Sequence, residues 1–209
     1  MLTILFDFDG VLIDSMPVRE LGFRKVLEDY PAKEIDKLID FHNSNGGLSR
    51  YVKFRFFFEN ILEKIISDKE INTLASSFSK IMLELLANPD LLINDSLDFV
   101  TKNYSDMDLH IVSGSDGDEL RTLCVGLGIA NYFKSINGSP SPKTDLVRDL
   151  ISRFSYDKNS TVLIGDSTND LEAAVHNQIR FIGYNNPKLK TQGCEYLNSF
   201  KDFIIELSD

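Results

Sequence analysis

Short apolar runs recur along the chain at Leu2 to Phe6, Leu109 to Val112, Thr161 to Ile164 and Arg180 to Ile182, and each gives way at once to Gly, Ser or Asp. Continuous apolar runs of this length, bounded by turn residues, predict parallel strands buried on both faces. Between them the period lengthens to that of amphipathic helices, over 118–127, 143–154 and 169–176. Strand and helix alternate, so the expected core is an open α/β sheet with helices packed on it.

Residues 16–88 follow a different pattern. Val18-Leu21-Val26, Ile35-Leu38-Ile39 and Ile61-Leu62-Ile65-Ile66 carry helical spacing with no strand-like run among them. Asp68, followed by Lys69-Glu70-Ile71, predicts a helix start, and Asn88-Pro89-Asp90 is a breaker. The chain therefore divides into a core made of 1–15 and 89–209 and a helical insertion over 16–88, with hinges near 15 and 88–92. The cluster Phe54-Phe56-Phe57-Phe58 is expected to be core, as aromatic side chains on a helical stretch usually are.

Composition narrows the possibilities. A chain of 209 residues with 43% hydrophobic and 26% charged residues has the balance of an ordinary soluble globular protein and enough length for a sizeable core. Its formal net charge of -10 repels polyanions, so neither nucleic acid nor an anionic membrane is an expected partner. A small anionic substrate would need cations supplied locally. Cys124 and Cys194 stand far apart with no metal-like spacing, which suits two free thiols in a reducing compartment. No apolar run approaches the roughly 20 residues that span a bilayer, and no basic region precedes the N-terminal apolar stretch; a cytoplasmic location is expected.

Four polar clusters follow the expected strands: Asp7 with Asp9 in "FDFDGV", Ser113 in "HIVSGSD", Lys143 in "GSPSPKTD", and Asp166 with Asp170 in "LIGDSTND". In open α/β sheets, ligands bind in the crevice beyond the carboxyl ends of the strands, which nominates all four. Two carboxylates, two residues apart, at the end of a buried strand make either a metal site or a liability. A helix starting at 167–169 would put Asp166 at its mouth and Asp170 in its first turn, where both reach one cation.

The four motifs, in this order, resemble those of the haloacid dehalogenase superfamily, and the resemblance covers nearly the whole chain. It implies a Rossmann-like core carrying an α-helical cap at 16–88, and similarity to members of the phosphoglycolate phosphatase and β-phosphoglucomutase kind. By that resemblance Asp7 is the nucleophile that takes the phosphoryl group, a role in which an ionised carboxylate needs no prior deprotonation. Asp7 must still approach an anionic phosphate. A divalent cation relieves the repulsion, and carboxylate oxygens suit Mg²⁺, with Asp7, Asp166, Asp170 and the backbone carbonyl of Asp9 as the implied ligands. The Asp9 side chain is the implied general acid and base. Ser113, Gly114 and Lys143 are the implied holders of the phosphoryl oxygens. Asp14 and Ser15 are expected to cap the following helix, and Asp116 and Asp118 to be solvent-facing helix-start residues. Here the lysine follows the second proline of "SPSPK", whereas capped relatives often carry a Lys-Pro pair.

Within the insertion, Gly46-Gly47 breaks the helical pattern, and Gly47-Leu48-Ser49-Arg50 resembles a Gly-x-Ser-Arg loop whose arginine touches substrate in several capped relatives. Arg50 is thus the leading specificity candidate, accompanied by Gly47, Ser49 and Lys53, and its planar guanidinium suits a carboxylate or second phosphate. His42 and Asn45 are weaker candidates. Arg19 stands where mutase relatives usually carry His, which disfavours a mutase. The expected activity is Mg²⁺-dependent hydrolysis of a small phosphorylated metabolite by a monomer or homodimer. The alternatives are a sugar-phosphate mutase and a phosphorylatable signalling module; the latter would be smaller and would lack so long a helical insertion.

Overall fold

The computed structural model describes residues 1–203. Strand β1 (Thr3–Phe6) leads into helices α1 (Met16–Val26), α2 (Ala32–Ser44), α3 (Arg50–Phe56) and α4 (Asp68–Leu85). The chain then continues through α5 (Asn94–Asn103), β2 (Asp108–Asp116), α6 (Gly117–Gly126), β3 (Ser135–Ser139), α7 (Lys143–Phe154), β4 (Thr161–Gly165), α8 (Thr168–Asn177), β5 (Arg180–Tyr184) and β6 (Glu195–Leu197). The strands form one parallel sheet in the order β3-β2-β1-β4-β5-β6. The strand order turns back beside β1, so the connections of β1 and β4 diverge to opposite sides and leave a crevice at their carboxyl ends.

Alternation on β1 and β4 fills both faces. Ile4, Phe6, Val162 and Ile164 join one apolar cluster, while Leu5 and Leu163 point into a second with Val147 of α7 and Ala173 of α8. The first cluster is continuous with the interior of the helical segment, where Phe23, Phe54 and Phe78 pack ring against ring at 4.5–6.1 Å between centroids. Phe54, Phe57 and Phe58 are buried there, and Phe56 stacks on Phe41. Among the described residues no helix is long and apolar enough to cross a membrane.

Several local expectations change. Strands β3 and β6 form the two sheet edges; with a bare side they need no continuous apolar run, and "SINGS" and "EYL" show none. Strand β2 runs on through Ser113 to Asp116 with a register shift after Val112, so Ser113 lies inside a strand and not beyond it. The helical spacing read through Ile66 ends sooner: a π-helical turn, Phe57–Ile61, closes α3, Glu63 adopts φ 54°, and Ile65 is fully exposed while Ile66 is buried. Ser67, not Asp68, caps α4, in a reciprocal box with Glu70. Ser15 occupies the first cap position of α1, but its hydroxyl makes no capping bond.

Candidate active site

Pairing of β1 with β4 places Phe6 opposite Ile164, and the Asp7 amide donates to the Ile164 carbonyl at 2.9 Å. The residues that follow each strand therefore emerge side by side, although they are about 160 positions apart in sequence. Gly10 makes this approach possible: its φ is +73°, and a Cβ there would fall 2.1 Å from the Asp166 carboxylate. Asp170 is set by the first turn of α8, where Ser167 and Asp170 cap one another reciprocally.

Carboxylate oxygens of Asp7, Asp166 and Asp170 lie within 4.8 Å of one another. Lys143, the first residue of α7, reaches into them and pairs with Asp170 and, at 2.9 Å, with Asp7. All of these groups are buried except Asp166, which is partly so. Burial, reinforced by Asp170, pushes the Asp7 carboxyl up to about 7 against the pull of Lys143. Burial and the neighbouring Asp7 and Asp170 raise Asp166 as well. One ammonium does not compensate three crowded carboxylates, and all-oxygen donors at this spacing fit a hard divalent cation such as Mg²⁺.

Asp9 is held differently. Burial opposes its ionisation, but the Arg19 guanidinium and hydrogen bonds from Ser115 and Ser15 outweigh that and hold the carboxyl at about 2. The Ser15 hydroxyl thus serves Asp9 and not the helix terminus. Arg19 also reaches Glu119 of α6 at 3.3 Å and Ser115 at 2.7 Å. Two carboxylates two residues apart are therefore driven in opposite directions by their surroundings.

The structure gathers Asp7, Asp9, Ser113, Gly114 and Asp166 around one cavity, with Gly47, Arg50 and Lys53 from the helical segment on its other side. The free volume is about 30 Å³, room for roughly a water or two. The helical segment is docked tightly. A Cβ on Gly114 would sit 2.2 Å from the Gly47 carbonyl oxygen, which in turn accepts from Asn169 at 2.9 Å. Tyr51 donates to Asp116 at 2.7 Å, and Asp116 caps α6 through the amides of Asp118 and Glu119.

Arg50 lines the cavity, yet it is already ion-paired with Glu119, hydrogen-bonded to Ser79 and stacked over Phe78. Ser49 caps α3 through the Val52 amide and does not line the cavity. Lys53 bonds His42 Nδ1 and the Gly46 carbonyl, each at 2.9 Å, while Asn45 turns back to its own helix at the Phe41 carbonyl. Sequence reasoning passed over Glu119, offered Ser115 only as a backbone-amide donor to phosphate whereas its hydroxyl bonds Asp9 and Arg19, and met Arg19 only as a departure from a pattern. Nothing local marks an acidic residue in a helix first turn as the partner of two distant arginines.

An open parallel sheet with buried carboxylates, a lysine and a hydroxyl converging at its switch point defines a hydrolase of the aspartate-centred α/β kind. The haloacid dehalogenase-like hydrolase model matches residues 4–184, and the chain belongs to that family. The chain is 23% identical over 186 residues to a phosphoglycolate phosphatase from Colwellia psychrerythraea, covering 86% of this chain and 82% of that protein. Its fold is similar to β-phosphoglucomutase from Clostridium difficile, with a TM-score of 0.77, 16% identity and coverage of 98% and 94% of the two chains. It is also similar to the Bacillus subtilis hydrolase YfnB solved bound to magnesium, with a TM-score of 0.70, 18% identity and coverage of 96% and 95%.

Proposed function

We propose that this chain hydrolyses a small phosphate monoester through an aspartyl phosphate on Asp7, with Mg²⁺ held by Asp7, Asp166 and Asp170. The observation that carries the reading is the meeting of these three carboxylates with Lys143 at the ends of β1, β4 and α7. When bound, the metal neutralises charge on the phosphoryl group and on Asp7 and so keeps the carboxylate ionised as a nucleophile.

An Asp7 oxygen forms the bond to phosphorus as the bond to the leaving oxygen breaks, and Asp9 gives its proton to that oxygen. Water then attacks the phosphorus of the aspartyl phosphate, losing its proton to Asp9, and frees Asp7 and inorganic phosphate. The Ser113 hydroxyl, the Gly114 amide and the Lys143 ammonium hold the phosphoryl oxygens, where charge accumulates. Arg19 gives Asp9 a conformational dependence. In the docked arrangement it keeps Asp9 ionised, the state that serves as base. Because Arg19 rides on α1, movement of helices α1 to α4 as a cap would withdraw it and let Asp9 take up the proton it donates in the first step.

The test is phosphate release, with Mg²⁺, from sugar phosphates, sugar-acid phosphates, phosphoglycolate and nucleotides. Wild type is expected to turn over at least one class and Asp7→Asn none. Turnover by Asp7→Asn would overturn the covalent mechanism, and positional transfer without free phosphate would assign a mutase.

A further inference from the structure

Glu119 lies outside the cavity, yet Arg19 rests on it. It stands in the first turn of α6, its side chain has no exposure, and it contributes nothing to the cavity lining. Its place is fixed from the core: the Glu119 amide donates to the capping Asp116 at 3.1 Å, and α6 follows directly on β2, the strand that carries Ser113 and Ser115. From there one carboxylate oxygen accepts from Arg19 Nη1 at 3.3 Å and the other from Arg50 Nη1. Arg19 turns its other nitrogens to Asp9. Its Nε donates to Asp9 Oδ1, and its Nη2 donates at 2.7 Å to the Ser115 hydroxyl, which itself donates to Asp9 Oδ2 at 2.6 Å. A planar guanidinium held at all three nitrogens keeps one orientation. Through it both Asp9 oxygens are fixed, Oδ1 directly and Oδ2 by way of Ser115. Without the contact at Nη1 that plane is held from the Asp9 side alone, and the buried charges of Arg19 and Arg50 lose the anion they share.

We infer that Glu119 is a positioning residue for the second half-reaction: by holding the Arg19 plane it keeps the Asp9 carboxylate where it takes the proton of the attacking water. In that step the water oxygen forms a bond to phosphorus, the bond between phosphorus and the Asp7 oxygen breaks, and the water proton passes to Asp9, leaving inorganic phosphate and free Asp7. The inference rests on the phosphatase reading above and adds to that site a residue that never touches substrate. Glu119 and Ser115 belong to the core and Arg19 to α1, so the three-point hold exists only while the helical segment is seated, which ties water activation to the docked arrangement. A misplaced base lowers the rate of the step it serves and leaves the preceding binding and transfer intact.

The experiment uses the full chain with Mg²⁺ and acetyl phosphate, a donor whose acetate leaves without a proton, so that forming the aspartyl phosphate makes no demand on Asp9. Acid quenching gives the phosphorylated fraction and its decay once the donor is removed. Glu119→Gln is expected to slow that decay roughly tenfold or more and to raise the phosphorylated fraction at steady state. It should lower kcat and KM together, with kcat/KM within about threefold of wild type. An unchanged decay overturns the proposal, as does a fall in kcat/KM as large as the fall in kcat. Tyr51→Phe loosens the same docking surface at Asp116 and should leave the decay within about threefold of wild type; equal slowing there reduces Glu119 to a docking contact and overturns its role. In an Arg19→Lys background, where a point charge replaces the fork, Glu119→Gln should add less than about threefold, and a full further slowing overturns the route through Arg19. If Glu119→Gln does not fold, Glu119→Asp, one methylene shorter, decides by the same decay, with slowing of about threefold or more expected. Asp7→Asn separates the two levels. A phosphorylated or active Asp7→Asn defeats the phosphatase reading, whereas an inert one beside an unchanged decay in the Glu119 variant defeats only the role of Glu119.

Discussion

Asp166 carries a cost that the other carboxylates of the site avoid: its side chain accepts no hydrogen bond among the described residues, and its neighbours Asp7 and Asp170 share the ammonium of Lys143 between them. Replacing this crowded, partly buried carboxylate by its neutral isostere should stabilise the metal-free protein by about 1–2 kcal/mol, a rise of roughly 2–8 °C in melting temperature. The same Asp166→Asn variant should lose the stabilisation that Mg²⁺ confers on wild type by binding the folded state alone, together with at least 100-fold in turnover. Melting in chelator and in Mg²⁺ checks both signs; a fall in the metal-free melting temperature would refute the crowding. His110, which does not line the candidate site, sets an acid limit. Burial pulls its imidazole down to about 4, below the ordinary value near 6.5, while Asp108 opposes the shift and Lys134 and Arg153 reinforce it. Its ring bonds Ser135 and Tyr156. The unfolded chain therefore binds a proton first as pH falls, and stability present above 6.5 is lost between about 6.5 and 4. His110→Gln should flatten roughly 1–2 kcal/mol of that slope, measured by denaturant unfolding across the interval.

At the scale of elements, helix α6 fastens the cap segment to the core. Glu119 has a side chain without exposure and receives Arg19 from α1 and Arg50 from α3, while Asp116 at the helix mouth receives Tyr51. Removing the shared anion leaves two buried guanidinium groups facing each other. Glu119→Gln should cost about 3 kcal/mol, or roughly 6–12 °C in melting temperature. Asp118→Asn, one residue away but 95% exposed, should move it by about 1 °C or less; equal effects would deny α6 this role. The contrast explains what sequence could show. Helix α7 begins at Lys143 and ends at Phe154 as its apolar spacing predicts, because that signal lies wholly within the segment. The four aspartates were legible because Asp7 and Asp166 directly follow buried strands, Asp9 lies two residues beyond Asp7, and Asp170 falls in the first turn of a helix. The partnership of Glu119 with residues 69 and 100 positions away was not, since an acidic first turn looks alike whether it faces water or two arginines. Edge strands β3 and β6 were hidden for a related reason: their pairing is visible in space and leaves no apolar run behind.

Across the whole molecule, a net charge of -10 coexists with a cavity lined by Arg19, Arg50 and Lys53 as well as by Asp7, Asp9 and Asp166, so the cations that an anion would need are gathered beside the candidate site. That cavity is also nearly full. With about 30 Å³ free in this arrangement, the proposed turnover is expected to involve the helical segment lifting from the sheet and returning. The segment joins the core by two strands of chain lying side by side, with Ile93 donating to Leu12 and Asp14 to Leu91 at 3.0 and 2.8 Å, an arrangement that favours rotation over separation. At the far end the contact to be broken is the Gly47 loop against α8, where a Cβ on Gly47 would lie 2.8 Å from that of Asn169. Cysteines at both positions should bridge after a small adjustment, since disulfides span about 3.5–4.5 Å between Cβ atoms. The oxidised Gly47→Cys/Asn169→Cys protein should release phosphate at least 50-fold more slowly than the same protein after reduction. The single variants, treated identically, report on any contribution from Cys124 and Cys194. Equal rates in the oxidised and reduced double variant would mean that substrate reaches Asp7 without the cap leaving its seat.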